Sequence, residues 1–380
     1  MSPTLWPDVS LHVVSGKGGT GKTTVAGALA MALARDGRRT LLMEVEGRQG
    51  IAQLFDVPPL PYEERKVAVA PGGGEVWALA VDPEDALLDY LEIFYNLRRA
   101  GSALRRMGAI DFATTIAPGL RDVLLTGKAC EVVRRAEKQA ADAYDAVVLD
   151  APPTGRITRF LNVNNEVSGL AKVGPIRNHA DLVMSVIASP RTAVHLVTLL
   201  EEMPVQETID GVAELQAASL PVGGVLVNMA RPPRLTDIEM DQALTTGLPI
   251  TEIEQGLHDA GVTSDIEQAA NVLAGEGRDH ALRVQLEQQE ITRLDALDVP
   301  VLQLPYISGG IDLGSLYELA SVLSDQGASS GHPRRCTSTT FSMTLRSRSS
   351  CVPERAESAR QPRQLPSGYE RRNAVDTCAS

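Results

Sequence analysis

Three observations predict an α/β fold with a mostly parallel sheet flanked by helices. Short apolar runs alternate with helical stretches from Leu11 to Leu304. A glycine-rich turn joins the first run directly to a helix. Polar clusters follow the ends of several runs, where sheets of this class gather their ligands.

The first run is Leu11-His12-Val13-Val14, and the turn Gly16-Lys17-Gly18-Gly19-Thr20-Gly21-Lys22-Thr23-Thr24 leaves it. From Lys22 onward Val25, Leu29 and Leu33 recur every four residues in an alanine-rich segment ending at Gly37, which reads as an amphipathic helix with a glycine stop. Strand-like runs follow at 40–45, 76–81, 146–149, 193–199, 222–227 and 301–304. The triplet Gly72-Gly73-Gly74 reads as a loop and is assigned no chemistry. Over 83–142 the pattern is helical only: Ala86, Leu87, Tyr90, Leu91, Phe94 and Leu97 mark one face, and Leu120, Val123, Leu124 and Val132 another. This predicts a helical insertion lobe over the ligand-bearing edge. Helical material returns at about 157–187. The expected organisation is therefore a core of residues 1–82 and 143–325, the insertion at 83–142, and a tail from 326 to 380. That tail, rich in Ser, Thr, Arg, Pro and Gln without apolar periodicity, is expected to be disordered and dispensable.

Composition bounds the function classes. With 43% hydrophobic residues in 380, the chain can build a large core. Net charge is −12, and setting aside the nine Arg and four acids of residues 333–380 leaves the body near −17, a poor nucleic-acid binder. No run of about 18 apolar residues and no charged-then-apolar leader is present, so a soluble cytoplasmic protein without a membrane span is expected. Of four cysteines only Cys130 lies in the body; Cys336, Cys351 and Cys378 are in the tail, which makes neither a disulfide framework nor a zinc pattern.

The Gly16–Thr24 turn is a phosphate-binding loop by its chemistry. A strand turning through glycines into a helix aims backbone N–H groups and the positive helix end at one place, where a polyphosphate fits. Lys22 would reach the β- and γ-phosphates and Thr23 would hold Mg²⁺ through its hydroxyl. The same residues satisfy the looser dinucleotide pattern G-x-G-x-x-G, and Glu44 sits about where a ribose-binding acid is expected. A nicotinamide site has no use for Lys22-Thr23 at the helix start, however, whereas a nucleoside triphosphate with Mg²⁺ needs both. A triphosphatase also needs a strand-end acid for Mg²⁺ and a group that orients water. Ala146-Val147-Val148-Leu149-Asp150 presents such an acid, the alternative being a helix-capping Asp. Ala151-Pro152-Pro153-Thr154-Gly155 follows as a stiffened loop able to approach the γ-phosphate. Glu44 and Glu46 share a face at the end of 40–45, and one of them, with Glu46 preferred, would align a water; a solvated loop with Glu–Arg pairing is the plain alternative.

Residues 16–24 resemble the deviant phosphate loop, K-G-G-x-G-K-T, of the MinD, arsenite-pump and tail-anchored-targeting ATPases. Leu149-Asp150-Ala151-Pro152-Pro153-Thr154-Gly155-Arg156-Ile157-Thr158-Arg159-Phe160-Leu161 resembles the switch II of the arsenite-pump and tail-anchored-targeting branch. Within that branch the chain looks most like the actinobacterial anion-transporting ATPases, which commonly occur as paired paralogues. The likeness runs from about Leu11 to Ser324.

The resemblance implies a P-loop NTPase fold, ATP and Mg²⁺ as ligands, and a dimer, either with itself or with a paralogous ATPase. It implies that Gly16, Lys17, Gly18, Gly19, Thr20, Gly21, Lys22, Thr23 and Thr24 hold the nucleotide together with Pro153, Thr154 and Gly155, and that Thr23 and Asp150 hold Mg²⁺, Asp150 through water. Lys17 would be the signature lysine reaching the nucleotide of the facing subunit. Glu46 falls where the switch I water-activating Asp stands, in a Glu46-Gly47-Arg48-Gln49 setting instead of D-P-A-H. Asn228 would read adenine, and Pro305 and Tyr306 would form a second adenine-side segment. No guanine reader follows Asn228, so ATP is expected over GTP. The departures concern cargo. Arsenite pumps bind metalloid through several cysteines, and the body offers only Cys130, which reads as a small buried residue. The zinc-binding C-x-x-C of eukaryotic targeting ATPases is missing, and Met107 and Met184 make no Met-rich stripe. The leading expectation is an ATP-hydrolysing dimeric switch whose helical lobe serves an unidentified protein client or membrane partner. The alternatives are the soluble energising subunit of an anion exporter and a weakly hydrolysing half of a heterodimer.

Overall fold

The computed structural model describes residues 4–95, 118–138, 142–170 and 175–329. Its strands are β1 (Leu11–Gly16), β2 (Arg39–Glu44), β3 (Arg65–Ala70), β4 (Gly74–Ala80), β5 (Ala146–Asp150), β6 (Thr192–Thr198), β7 (Val222–Ala230) and β8 (Val301–Pro305). They form one sheet in the order β3-β4-β2-β5-β1-β6-β7-β8. All pairings are parallel except β3 with β4. The central strands β1 and β5 are buried along their whole length, as parallel strands covered on both faces must be.

The helices are α1 (Lys22–Leu33), α2 (Gly50–Leu54), α3 (Pro83–Tyr95), α4 (Pro118–Glu137), α5 (Thr154–Leu170), α6 (Pro175–Ile187), α7 (Glu202–Ala217), α8 (Asp237–Thr245), α9 (Ile250–Asp259), α10 (Ile266–Asp295) and α11 (Leu313–Asp325). On one face Val13, Met43, Leu149 and Leu196 pack under Leu87, Leu124, Ile157, Val183 and Val205 of α3–α7. On the other, Val14, Leu42, Val148 and Val197 meet α1, with Leu316, Leu319 and Leu323 of α11 behind it.

Four expectations need correction. Helix α1 is not amphipathic: every residue from Val25 to Leu33 is buried, because its alanines and Gly27 let it sit between the sheet and α11. A Cβ on Gly27 would stand 2.6 Å from Leu54 Cδ2. Strand β3 was not anticipated. It is an exposed edge strand whose Arg65 and Lys66 hide its apolar alternation, which is how sheets blunt an edge. Gly72 and Gly73, at φ +82° and +85°, close the β3–β4 hairpin, and a Cβ on Gly74 would meet Ala34 O at 1.6 Å. The long α10 and its neighbours α8 and α9 were likewise unanticipated; α9 buries none of its residues. Finally, the body continues past Asp325. Gln326 hydrogen-bonds the Gln303 backbone in both directions, Leu5 N–H donates to Gly327 O, and Ala328 is buried.

In the insertion, Ala86, Leu87, Val123, Leu124 and Val132 are buried. Leu97, Met107 and residues 330–380 lie outside the described residues, as do the side chains of Tyr90, Leu91, Phe94 and Leu120. Among the described residues no helix is long and apolar enough to cross a membrane.

Candidate functional site

β1 ends in the loop, and α1 begins at Lys22 behind it. Two glycines there are obligatory for contact reasons. A Cβ on Gly16 would sit 2.3 Å from Val197 O of β6, and one on Gly21, at φ +82°, 2.4 Å from Asn228 Nδ2. At Gly18 and Gly19 nothing lies within 4 Å of where a Cβ would be, so the outer side of the loop is open. Thr20 closes the turn, its backbone N–H and its hydroxyl both donating to Lys17 O. Val25 N–H donates to Gly21 O, which starts the helix.

The strand ends bring the acids to this loop. Thr23 donates its hydroxyl to Asp150 Oδ2 at 2.6 Å, across 127 residues of chain. Asp150 closes β5 and is 8% exposed, a strand-end acid and not a helix cap. Burial pushes its carboxyl up to about 6, opposed by the Thr23 hydrogen bond and Lys22 and reinforced by Glu44 and Glu46. Ser15 anchors the following loop by donating to Pro152 O at 2.6 Å. Thr154 is buried at the start of α5, against Gly211 of α7, while Gly155 is exposed. Glu46 stands beyond β2, with Arg48 Nη2 3.6 Å from its Oε2.

Asn228, Pro305 and Tyr306 flank the loop from the β7–β8 side. Asn228 is buried, and its side-chain amide donates to Thr20 O at 2.9 Å, so it braces the Gly16–Thr24 loop directly. Tyr306 is half exposed, with its N–H on Ala230 O and the Arg231 guanidinium 5.7 Å from its ring centre. Pro305 pairs with Ala230 at the end of β8. Lys17 extends away from the loop to Glu207 of α7, Nζ to Oε1 2.9 Å.

Residues 10–190 match the family model described as anion-transporting ATPase. ATPase BagA of Mycobacterium tuberculosis is 53% identical over 326 residues, covering 85% of this chain and 96% of that protein. The chain belongs to the anion-transporting ATPase family. ATPase GET3 of Kluyveromyces lactis is 28% identical over 249 residues, covering 57% of this chain and 70% of that protein. The strand–loop–helix start and the Asp150 strand end both lie inside the span matched by the anion-transporting ATPase model.

Three features of the site escaped sequence reasoning. Glu207 is the partner of Lys17, a pairing 190 positions apart with no local signal. The burial of Glu44, a candidate acid already by its position, is the second, with Oε2 accepting from Ile51 N–H at 3.2 Å and Oε1 unpartnered among the described residues. A polar cavity of about 180 Å³ lies beside Glu46, lined by Arg48, Arg121, Asp122 and Arg156. Arg121 and Asp122, on α4, tie the insertion to both loops: Arg121 donates to Val45 O at 3.3 Å, and Asp122 faces Arg156 at 3.8 Å. Cys130 is buried, its S–H directed to Val183 O, and burial pushes the thiol up to about 12. It supplies no thiolate for a metalloid.

Proposed function

We propose that the chain is a Mg²⁺-dependent ATPase acting as a paired nucleotide switch. The observation that carries this reading is the contact of Thr23 with Asp150 at the mouth of an open glycine loop. A hydroxyl at the start of the first helix and a strand-end carboxylate are the two protein groups a P-loop triphosphatase uses around its metal. The donor set fits Mg²⁺, which prefers one or two carboxylates with water completing its shell. When bound, the ion neutralises charge on the phosphate oxygens. Lys22 then serves the β- and γ-phosphates, the backbone N–H groups of Gly18, Gly19 and Gly21 cradle them, and Thr24 extends the loop.

Glu46 is the acid assigned to align the attacking water, and its pairing with Arg48 favours slow hydrolysis until that pair opens. Asn228, whose amide also braces the loop at Thr20 O, is assigned to read adenine, with Pro305 and Tyr306 as the second adenine-side segment. Lys17 is assigned to the nucleotide of a facing subunit, a second copy or a paralogue, and reaching it requires leaving Glu207. Loss of the γ-phosphate contacts at Pro153, Thr154 and Gly155 would pass to α4 through Arg156–Asp122 and Arg121–Val45, and so to the helical lobe. The test is ATP turnover by the full chain, alone and mixed with a paralogue, together with ATP binding. Turnover that Lys22→Ala abolishes is expected; background turnover in every mixture with ATP still bound overturns the enzyme reading.

A further inference from the structure

We propose that Glu44 is a second acid of the Mg²⁺ site, a positioning residue whose Oε1 accepts from the ion's water shell beside Asp150; this rests on the nucleotide reading above. Glu44 is only 3% exposed. Its Oε2 is held by Ile51 N–H, whereas Oε1 is buried without a partner among the described residues. A buried carboxylate oxygen left unpaired is costly, and folds retain one where a ligand or cation completes it.

The placement of Glu44 names that ligand. It is the last residue of β2, in register with Asp150, the last of β5. Two positions back on each strand, Leu42 and Val148 pack toward α1, so the alternation of a strand turns Glu44 and Asp150 to the same side. Thr23 of α1 waits there, with its hydroxyl on Asp150. Gly50, next to the Ile51 that anchors Glu44, packs on Thr23: a Cβ at Gly50 would be 3.3 Å from Thr23 Cγ2. Glu44, Thr23 and Asp150 thus form one cluster at the foot of the phosphate loop. Glu44 and Asp150 put two buried carboxylates beside Lys22, and Glu46, itself paired with Arg48, acts with Glu44 electrostatically on Asp150. That excess of negative charge is what a divalent cation offsets.

The test is Mn²⁺ binding, followed by electron paramagnetic resonance, to the full chain saturated with ADP. Glu44→Gln is expected to weaken Mn²⁺ by roughly 10–100-fold, the cost typical of losing an outer-shell partner of a metal site. Its ADP affinity in EDTA should stay at the wild-type value. Its melting temperature in EDTA should be equal or higher, since the unpaired charge is gone. A merely structural Glu44 would move none of the metal readings, so wild-type Mn²⁺ affinity in Glu44→Gln overturns the assignment. Should Glu44→Gln fail to fold, Glu44→Asp, which keeps the charge and shortens the reach, is expected to bind Mn²⁺ more weakly than wild type. Unchanged affinity in that variant overturns the proposal equally. If wild-type protein with ADP binds no Mn²⁺ at all, the nucleotide reading itself falls.

Discussion

Two buried polar pairs share one face of the sheet and are handled in opposite ways. His12 of β1 and His195 of β6 are completely buried, bonded Nδ1 to Nε2 at 3.0 Å, with their rings edge-on to Trp6 at 5.6 and 4.5 Å. Burial lowers His12 to about 3 and His195 well below its usual range, so both rings are neutral. Glu44 and Asp150 lie at the far ends of their strands, next to the Gly16–Thr24 loop, where the loop glycines open outward. The histidines share one hydrogen bond and stay neutral, so the nitrogens left over, His12 Nε2 and His195 Nδ1, are unpartnered among the described residues but carry no charge. Among the described residues, Thr23, Ile51 N–H and Lys22 stand against the charge of the carboxylates, and Glu44 Oε1 has no partner. A neutral buried pair is architecture, while a buried pair of like charges marks where a ligand belongs.

The strongest way to sharpen that contrast is Asp150→Asn. It should lower ATP turnover by about 10²–10³-fold, the scale of losing a preorganised electrostatic group, with little change in folding. Steady-state phosphate release and urea unfolding read the two effects separately. On the histidine side His12→Ala should do the reverse. It removes ring volume and strands His195, costing about 2–4 kcal/mol in urea unfolding while turnover per folded molecule stays at the wild-type level.

The pH dependence gives a third handle. Both histidines are lowered on folding, so between about pH 6.5 and pH 3 the unfolded chain binds more protons and stability falls as pH falls. Their stabilising contribution is complete above 6.5. Each ring adds a slope of up to about 1.4 kcal/mol per pH unit in that window. Replacing both rings with leucine should flatten the slope measured by denaturant midpoints at pH 5 and pH 7; an unchanged slope would assign it to other groups.

The smallest effect on stability is expected at Glu207→Gln. The Lys17–Glu207 pair is partly exposed, so its loss should move stability by less than about 1 kcal/mol. Freed of this competitor, Lys17 should strengthen ATP-dependent self-association a few-fold in sedimentation velocity. If association is unaltered by Glu207→Gln yet lost in Lys17→Ala, the pair does not hold the lysine back.

What was legible in the chain is what is local. Gly16-Lys17-Gly18-Gly19-Thr20-Gly21-Lys22-Thr23 specifies its strand–turn–helix because the glycine conformations and the helix start are set within a few residues. The apolar runs foretold seven of the eight strands because parallel strands buried on both faces must be apolar throughout. β3 was hidden by the charges that protect an edge, and α1 was misread as amphipathic because its second buried face is created by α11, nearly 300 residues away.

The sequence by itself determined a glycine-rich strand–loop–helix, an acid at a strand end and the sheet that carries them. Only the tertiary structure decided which groups meet. It set Asn228 under Thr20, Lys17 on Glu207, His12 on His195, and Glu44 in register with Asp150 with one oxygen unpaired. The physical reason is that backbone conformation is a local property of the chain. Burial, hydrogen-bond partnership and the cost of an uncompensated charge depend on which distant elements the fold packs together.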